Sequence, residues 1–389
     1  MNFIVISHDP FRLSMREHYY MNSFARDGYK VQYWCVQDVL LYATKAPHGE
    51  KDVDYDDIIH FSSYKSFMQA LRKLESNTVF CLEVWFNKDT FEIFRIINQK
   101  NALYFSIDYY KNQPRIASNK EKALTSILQL DLVKLVKAVW RRVNVAIFRI
   151  HCLMAQVYDV PVVFIPGKVA ENRYSTKSKK VISINHFDLE HFRNSTVELA
   201  QTKDKYLLFI DIYLPYHPDV QRLGCQSVNP ESYFASLNKL FSQLEQATGL
   251  KVVVAAHPKA RYQNEFGDRL CISGQTSSLV RNAELVLTHH STALNFAVLA
   301  KKKICLLSSS EFKNANHKNY ILRNIYEVMK GYQKELNCSM VCFDSLISLS
   351  EIKDVDEGAY DRFIQEFLLS KQEISNYQII RNELEKIKK

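Results

Sequence analysis

A histidine in a proline-stiffened turn, His257-Pro258-Lys259, and a hydroxyl pair in a later one, His289-His290-Ser291-Thr292, are the residues of this chain best suited to hold a departing anion. The imidazole offers a hydrogen-bond donor, and Lys259 and Arg261 add positive charge beside it. Ser291 or Thr292 would cap a helix whose first free amides, backed by the helix dipole, make a seat for a phosphate. Asp211 stands directly after the apolar run Tyr206–Ile210. There it could accept a proton from an attacking hydroxyl or itself attack carbon. His217 and Asp219 follow in a loop stiffened by Pro215 and Pro218, and Gly274, at the end of a short strand, joins the substrate-contacting candidates.

The elements that must position these groups are legible in the stretch Lys251–Ser310. It predicts strands at Lys251–Ala256, Leu270–Ser273, Leu285–Thr288 and Lys303–Leu307, with helices from Ser277 and over Ala293–Lys301. Short apolar runs alternating with helices argue for a parallel α/β sheet covered on both faces. Ligands of such sheets bind beyond the carboxyl ends of the strands, so His257 and Ser291/Thr292 are expected on one rim. The first half reads the same way. Strands are expected at Asn2–Ser7, Lys30–Val36, Asp57–Phe61, Thr78–Val84, Ala102–Ile107, Val160–Ile165 and Lys180–Asn185. Helices fall between them at Ser14–Asp27, Tyr64–Leu74 and Thr90–Asn98. With no Gly-rich loop after the first strand, a dinucleotide is not expected there.

Glu83 and Asp108 lie at strand ends, and Asp188 sits in the segment His186–Phe192. Each is a rival to Asp211, with a solvated or locally paired carboxylate as the plainer alternative. His8, Arg12 and Glu17, near the end of the first strand, read first as turn and helix-surface residues. The polar segment Arg193–Lys205 marks a boundary between domains 1–200 and 201–389. Beyond Ser310, helices are expected at Lys318–Tyr332, Tyr360–Leu369 and Gln372–Lys388, with a strand at Ser339–Asp344. The last helix either covers the second domain or crosses back to the first.

With 389 residues, 47% of them hydrophobic, the chain can fill two cores. Lys+Arg of 51 against Asp+Glu of 42 leaves +9, which favours anionic partners. That excess is dispersed, and no nucleic-acid partner is expected. The 22 Tyr and 23 Phe suit a cleft that holds sugars. Eight cysteines without a C-x-x-C pair predict reduced thiols and no metal site. The N-terminal residues lack a signal-peptide pattern and no apolar run reaches the roughly 18 residues of a membrane span, so a cytoplasmic protein is expected. Leu124–Tyr158 reads as a basic helix in which Lys134, Lys137, Arg141, Arg142 and Arg149 alternate with apolar residues including Trp140 and Phe148. Either it packs on the sheet or it lies at an anionic membrane surface.

The succession of a strand-end carboxylate, His257-Pro258, and a strand followed by Ser291-Thr292 spans Tyr206–Leu307. It resembles the bacterial sialyltransferases and the related Kdo and other nonulosonate transferases. The resemblance implies the GT-B arrangement, two doubly wound Rossmann-like domains facing a cleft, with acceptor domain 1–200 and nucleotide-sugar domain 201–389. It implies a CMP-activated sugar as donor, a surface polysaccharide or glycolipid as acceptor, and no metal or other cofactor. In those families the HP motif contacts the phosphate and cytosine side, roles carried here to His257 and Pro258, and the paired hydroxyl motif holds the phosphate, a role carried to Ser291 and Thr292. Lys259, His289 and His290 are candidates to face the sugar's own carboxylate. The acidic-acidic-Gly motif of the sialyltransferases is missing from the first domain. The catalytic carboxylate is therefore placed at Asp211, which brings the chain nearer to the retaining Kdo-type enzymes, in which an aspartate attacks the sugar. The alternatives are a GT-B transferase or an epimerase using a UDP- or GDP-sugar, a hydrolase, and a non-catalytic glycan- or lipid-binding protein.

Overall fold

Among the described residues the short apolar runs become thirteen strands in two wholly parallel sheets. The computed structural model describes residues 1–41, 43, 55–114, 132–176, 179–194, 204–217, 220, 223–315, 319–345 and 349–388. The first sheet comprises β1 (Asn2–Ser7), β2 (Lys30–Cys35), β3 (Ile58–His60), β4 (Thr78–Glu83), β5 (Leu103–Ile107), β6 (Val162–Pro166) and β7 (Lys180–Ile184). Its spatial order is β3-β2-β1-β4-β5-β6-β7. The second comprises β8 (Tyr206–Ile210), β9 (Val252–Ala256), β10 (Cys271–Ser273), β11 (Ala283–Thr288), β12 (Lys303–Ser308) and β13 (Ser339–Cys342), ordered β10-β9-β8-β11-β12-β13. In each sheet the order reverses beside the first strand, at β1/β4 and at β8/β11, and such a switch point opens a crevice at the carboxyl rim.

Strands buried on both faces explain the uninterrupted apolar runs: every residue of β8 and β9 is buried. The helix Pro230–Thr248 shows how the second sheet is covered. Asn229 caps it by accepting from the Ser232 amide (3.0 Å), Pro230 fits the first turn, and Gly249 at φ 72° closes it. Its face of Tyr233, Phe234, Leu237, Leu240, Phe241 and Leu244 is buried. Each such side chain contributes about 1.5–3 kcal/mol.

Two departures from the sequence reading bear on the site. The expected helix Ser14–Asp27 is broken into Ser14–His18 and Met21–Arg26, because Tyr20 takes a left-handed φ of 56°. The final helix, Asn376–Lys388, crosses back: Ile379, Ile380 and Leu384 are buried in the core of the first lobe. The chain reaches it through a π-helical turn, Ile364–Leu368, and two asparagines secure the crossing. The Ser370 amide donates to Asn185 Oδ1 (2.9 Å), and the Asn185 amide donates to Asn376 Oδ1 (2.7 Å).

Candidate active site

Because β8 pairs in parallel with both β9 and β11, the residues that follow these three strands emerge on one rim. Asp211 stands in the middle, with the His257 turn on one side and the His289–Thr292 turn on the other. Two strand spacings separate those turns, about 10 Å. The geometry expected of the two motifs is therefore met: both stand on one rim, on either side of Asp211.

Asp211 is only 3% exposed, and both of its oxygens are engaged. Oδ1 accepts from the Tyr213 amide (2.9 Å), while Oδ2 accepts from the Tyr262 hydroxyl (2.8 Å) and the His257 amide (3.2 Å). Burial raises its pKa, and these donors partly offset the rise. The carboxylate thus clasps the β8 loop to the β9 turn. A cost of the clasp is visible at Tyr213, a non-glycine residue held at φ 55°. Its ring lies nearly parallel to the His257 imidazole (centroids 6.1 Å apart, planes at 9°), and the ring of His217 meets the imidazole edge-on at 5.3 Å. Asp219 falls outside the described residues.

His257 Nδ1 accepts the Lys259 amide (3.1 Å), which leaves the ring proton on Nε2. Burial, with the nearby His217, Lys259 and Arg12, pushes this histidine down to about 3. It is consequently a neutral donor at physiological pH. Lys259 is half-buried, Pro258 is exposed, and Gly274 (φ 76°) turns the chain two strands away from β8, after the edge strand β10.

The second turn corrects two expectations. The helix is shorter than Ala293–Lys301, running only over Leu294–Leu299, and no hydroxyl caps it. Instead Ser291 Oγ accepts from the Ala293 amide (3.2 Å). The carbonyls of Ser291, Thr292 and Ala293 take the amides of Leu294, Asn295 and Phe296. The predicted row of free amides therefore shrinks to those of Ser291 and Thr292. His289 is also unsuited to face a sugar carboxylate. It is completely buried, Nε2 meets the Tyr233 hydroxyl (2.8 Å), Nδ1 meets the Leu307 carbonyl, and burial pushes it down to about 4. His290 points out of the sheet instead, and its Nε2 meets Gln113 Oε1 of the first lobe at 3.0 Å.

The first lobe presents its own rim to this one. Glu83, half-buried at the end of β4, accepts the Ile107 amide (3.1 Å). Burial, reinforced by Asp108 and Asp9, pushes its carboxyl up to about 8. Asp108 accepts the Tyr110 amide (3.2 Å) and is also raised by burial. Arg12, half-buried in the loop after β1, projects its charge onto His257 across the cleft and onto Tyr110. Its guanidinium makes no hydrogen bond or ion pair with the described residues. Asp188 lies at the junction of the lobes, where Asn295 Nδ2 donates to its Oδ2 (3.0 Å) and His186 Nδ1 lies 3.3 Å away. Burial pushes it up to about 7. Nearby, Thr292, Gln113 and Asn295 line a narrow interlobe cavity. A larger cavity of about 490 Å³ opens on the first lobe, lined by residues including Arg16, Tyr20, Arg26, Phe187 and Glu190. Among the described residues, no three His, Cys, Asp or Glu side chains gather so as to hold a metal ion.

Sequence reasoning missed Tyr213, Tyr262 and Asn295, and passed over Arg12 as a turn residue. The first three carry no spacing signal. Arg12 could have been found as the first cation beyond the switch-point strand β1.

No family model and no curated protein matches the sequence. Solved structures do match. A variant of the wall teichoic acid polymerase TagF aligns over 100% of this chain and 89% of its own, at 13% identity and a TM-score of 0.51. The glycosyltransferase SnogD from Streptomyces nogalater aligns over 99% of both chains at 10% identity and a TM-score of 0.46. The spinosyn forosaminyltransferase SpnP aligns over 100% of both, also at 10% and 0.46. Two parallel Rossmann-like sheets, each switching order beside its first strand and turned rim to rim, make this a protein of the GT-B fold.

Proposed function

We propose that the protein is a glycosyltransferase that moves a nonulosonic acid, such as sialic acid or Kdo, from a CMP-sugar to a surface-polysaccharide or glycolipid acceptor. One observation carries this reading: a neutral His257 and the Ser291–Thr292 turn flank the end of β8 at the switch point, opposite the Glu83 and Arg12 rim of the other lobe. As the bond from the anomeric carbon to phosphate breaks, its electron pair moves onto the phosphate. His257 Nε2–H and the amides and hydroxyls of Ser291 and Thr292 stabilise that charge. Lys259 and Arg12 face the sugar's carboxylate, and His290 lines the same mouth.

Asp211 is a poor base or nucleophile when three donors already hold it, so we assign it the positioning of the His257 turn. The acceptor's proton goes instead to Glu83, whose raised pKa suits a general base near neutrality. The acceptor oxygen then forms the new bond to carbon from the face opposite the phosphate, with inversion. The 490 Å³ cavity, with two aromatic rings and two arginines, is the proposed acceptor seat.

The test combines ligand-induced thermal shift with transfer assays. CMP should raise the melting temperature where UDP and GDP do not. His257→Ala should lower kcat/KM by about 10²–10³-fold. Glu83→Gln should lower kcat by about 10²-fold or more with little change in donor KM. A shift with UDP or GDP alone would overturn the donor assignment, and wild-type turnover in Glu83→Gln would overturn the base.

A further inference from the structure

The helix Leu132–Met154 has two apolar faces, and among the described residues only one of them is packed against the fold. Inward, Phe148 packs against the rings of Phe86 and Phe91, and Cys152 is buried with the first core. Outward, Val139, Val143, Ile147, Ile150 and Met154 recur at helical spacing on a single stripe, all exposed, with Ile147 at 54% and Met154 at 82%. Trp140, 63% exposed, stands on one flank of the stripe, and Arg142 and Arg149 stand on the other. The inward face thus packs on the first lobe, one of the two arrangements expected of this helix, and the outward apolar stripe is left over.

We propose that this stripe is a membrane-docking surface, and that its occupant is an anionic lipid bilayer. Charge decides between occupants. The helix carries no Asp or Glu from end to end, while Lys134, Lys137, Arg141, Arg142 and Arg149 all belong to it. A second copy laid against the stripe would set arginine against arginine, whereas acidic headgroups complement them and the acyl boundary takes up the apolar stripe. Trp140 is placed as an interfacial ring, apolar in body with one N–H for the headgroup layer. The helix lies on the bilayer and does not enter it end-on: among the described residues, no helix is long and apolar enough to cross a membrane.

The full chain would be sedimented with vesicles of phosphatidylglycerol and phosphatidylcholine, and with phosphatidylcholine alone. Binding is expected to the anionic vesicles and to weaken with salt. The exposed triple variant Val143→Ser/Ile147→Ser/Ile150→Ser should lower partitioning by about tenfold or more. Arg142→Gln/Arg149→Gln should weaken binding and flatten its salt dependence. Both variants should melt as the wild type does, since no altered side chain is buried. A wild-type protein that stays in the supernatant at low salt overturns the proposal, as does a triple variant that binds like the wild type. A wild-type dimer in light scattering that the triple variant dissociates, without vesicle binding, assigns the stripe to a second copy and overturns it equally. No donor or acceptor enters the assay, so its outcome is independent of the transferase reading.

Discussion

Glu83 and Asp211 are carboxylates on opposite strands of the switch-point pair in their respective lobes, Glu83 ending β4 and Asp211 following β8, and their surroundings separate their chemistry. Three donors converge on Asp211, while Glu83 receives one amide and the weak Cys81 thiol donor (3.8 Å) and keeps a partly open flank. The raised pKa of Glu83, about 8 against an ordinary 4.5, makes two opposite predictions over one pH window. A general base works only when ionised, so kcat/KM should climb as pH rises through about 8. Stability should run the other way. The folded state holds the Glu83 proton more tightly than the unfolded chain does, so the stabilisation is complete below the unfolded pKa and is lost as pH rises through the folded one. Melting temperature should therefore fall over the interval in which activity rises, and Glu83→Gln should flatten both profiles. Activity that is flat with pH in the wild type, or a rise that persists in the glutamine variant, would take the base role from Glu83.

At the scale of elements, most strands were legible because they are short apolar runs ended by a turn or polar residue, and burial on both faces leaves β1, β4, β6, β8 and β9 no alternation to misread. Parallel pairing follows from the intervening helices, and by itself it places His257 and Ser291 on one rim. Three features could not be read. The break at Tyr20 has no Gly or Pro to announce it. Of the adjacent His289 and His290, only packing decides that the first turns into the core and the second toward the other lobe. The partner of the last helix is hidden because an amphipathic pattern specifies a buried face without saying against what. That helix yields a prediction. Ile380 is fully buried in the core of the first lobe, although it lies far beyond the second sheet in sequence. Ile380→Ala should cost about 2–5 kcal/mol. Calorimetry should show the loss in the transition of the first lobe, with that of the second preserved; an unchanged first-lobe transition would mean the helix is an ornament on it.

At the scale of the whole molecule, the cleft depends on how the lobes are held rim to rim, and the tightest point of that hold is Gly167. It follows β6 at φ 92°, and a Cβ there would run into the Glu366 carbonyl and the Phe367 backbone of the π-helical turn that carries the chain between lobes. Two surrounding clasps tie the same two segments, Lys168 donating to Gln365 Oε1 (2.6 Å) and Lys371 pairing with Glu171 (2.8 Å), and the His186 amide, after β7, donates to the Leu368 carbonyl (2.7 Å). Backbone cannot swing aside as a side-chain tip can, so Gly167→Ala must push the two segments apart. The left-handed φ adds about 1–2 kcal/mol to whatever the collision costs. Displacing the turn disturbs the interlobe bonds beyond it, Asn295 to Asp188 and His290 to Gln113, which flank the Ser291–Thr292 turn. The variant should thus melt several degrees lower and, below that temperature, show a raised donor KM with a smaller change in kcat. The chemistry is untouched by it, and what suffers is the register between the two rims. If Gly167→Ala lost stability while its donor KM stayed at the wild-type value, the rims would be aligned by some other contact and the coupling argued here would be broken.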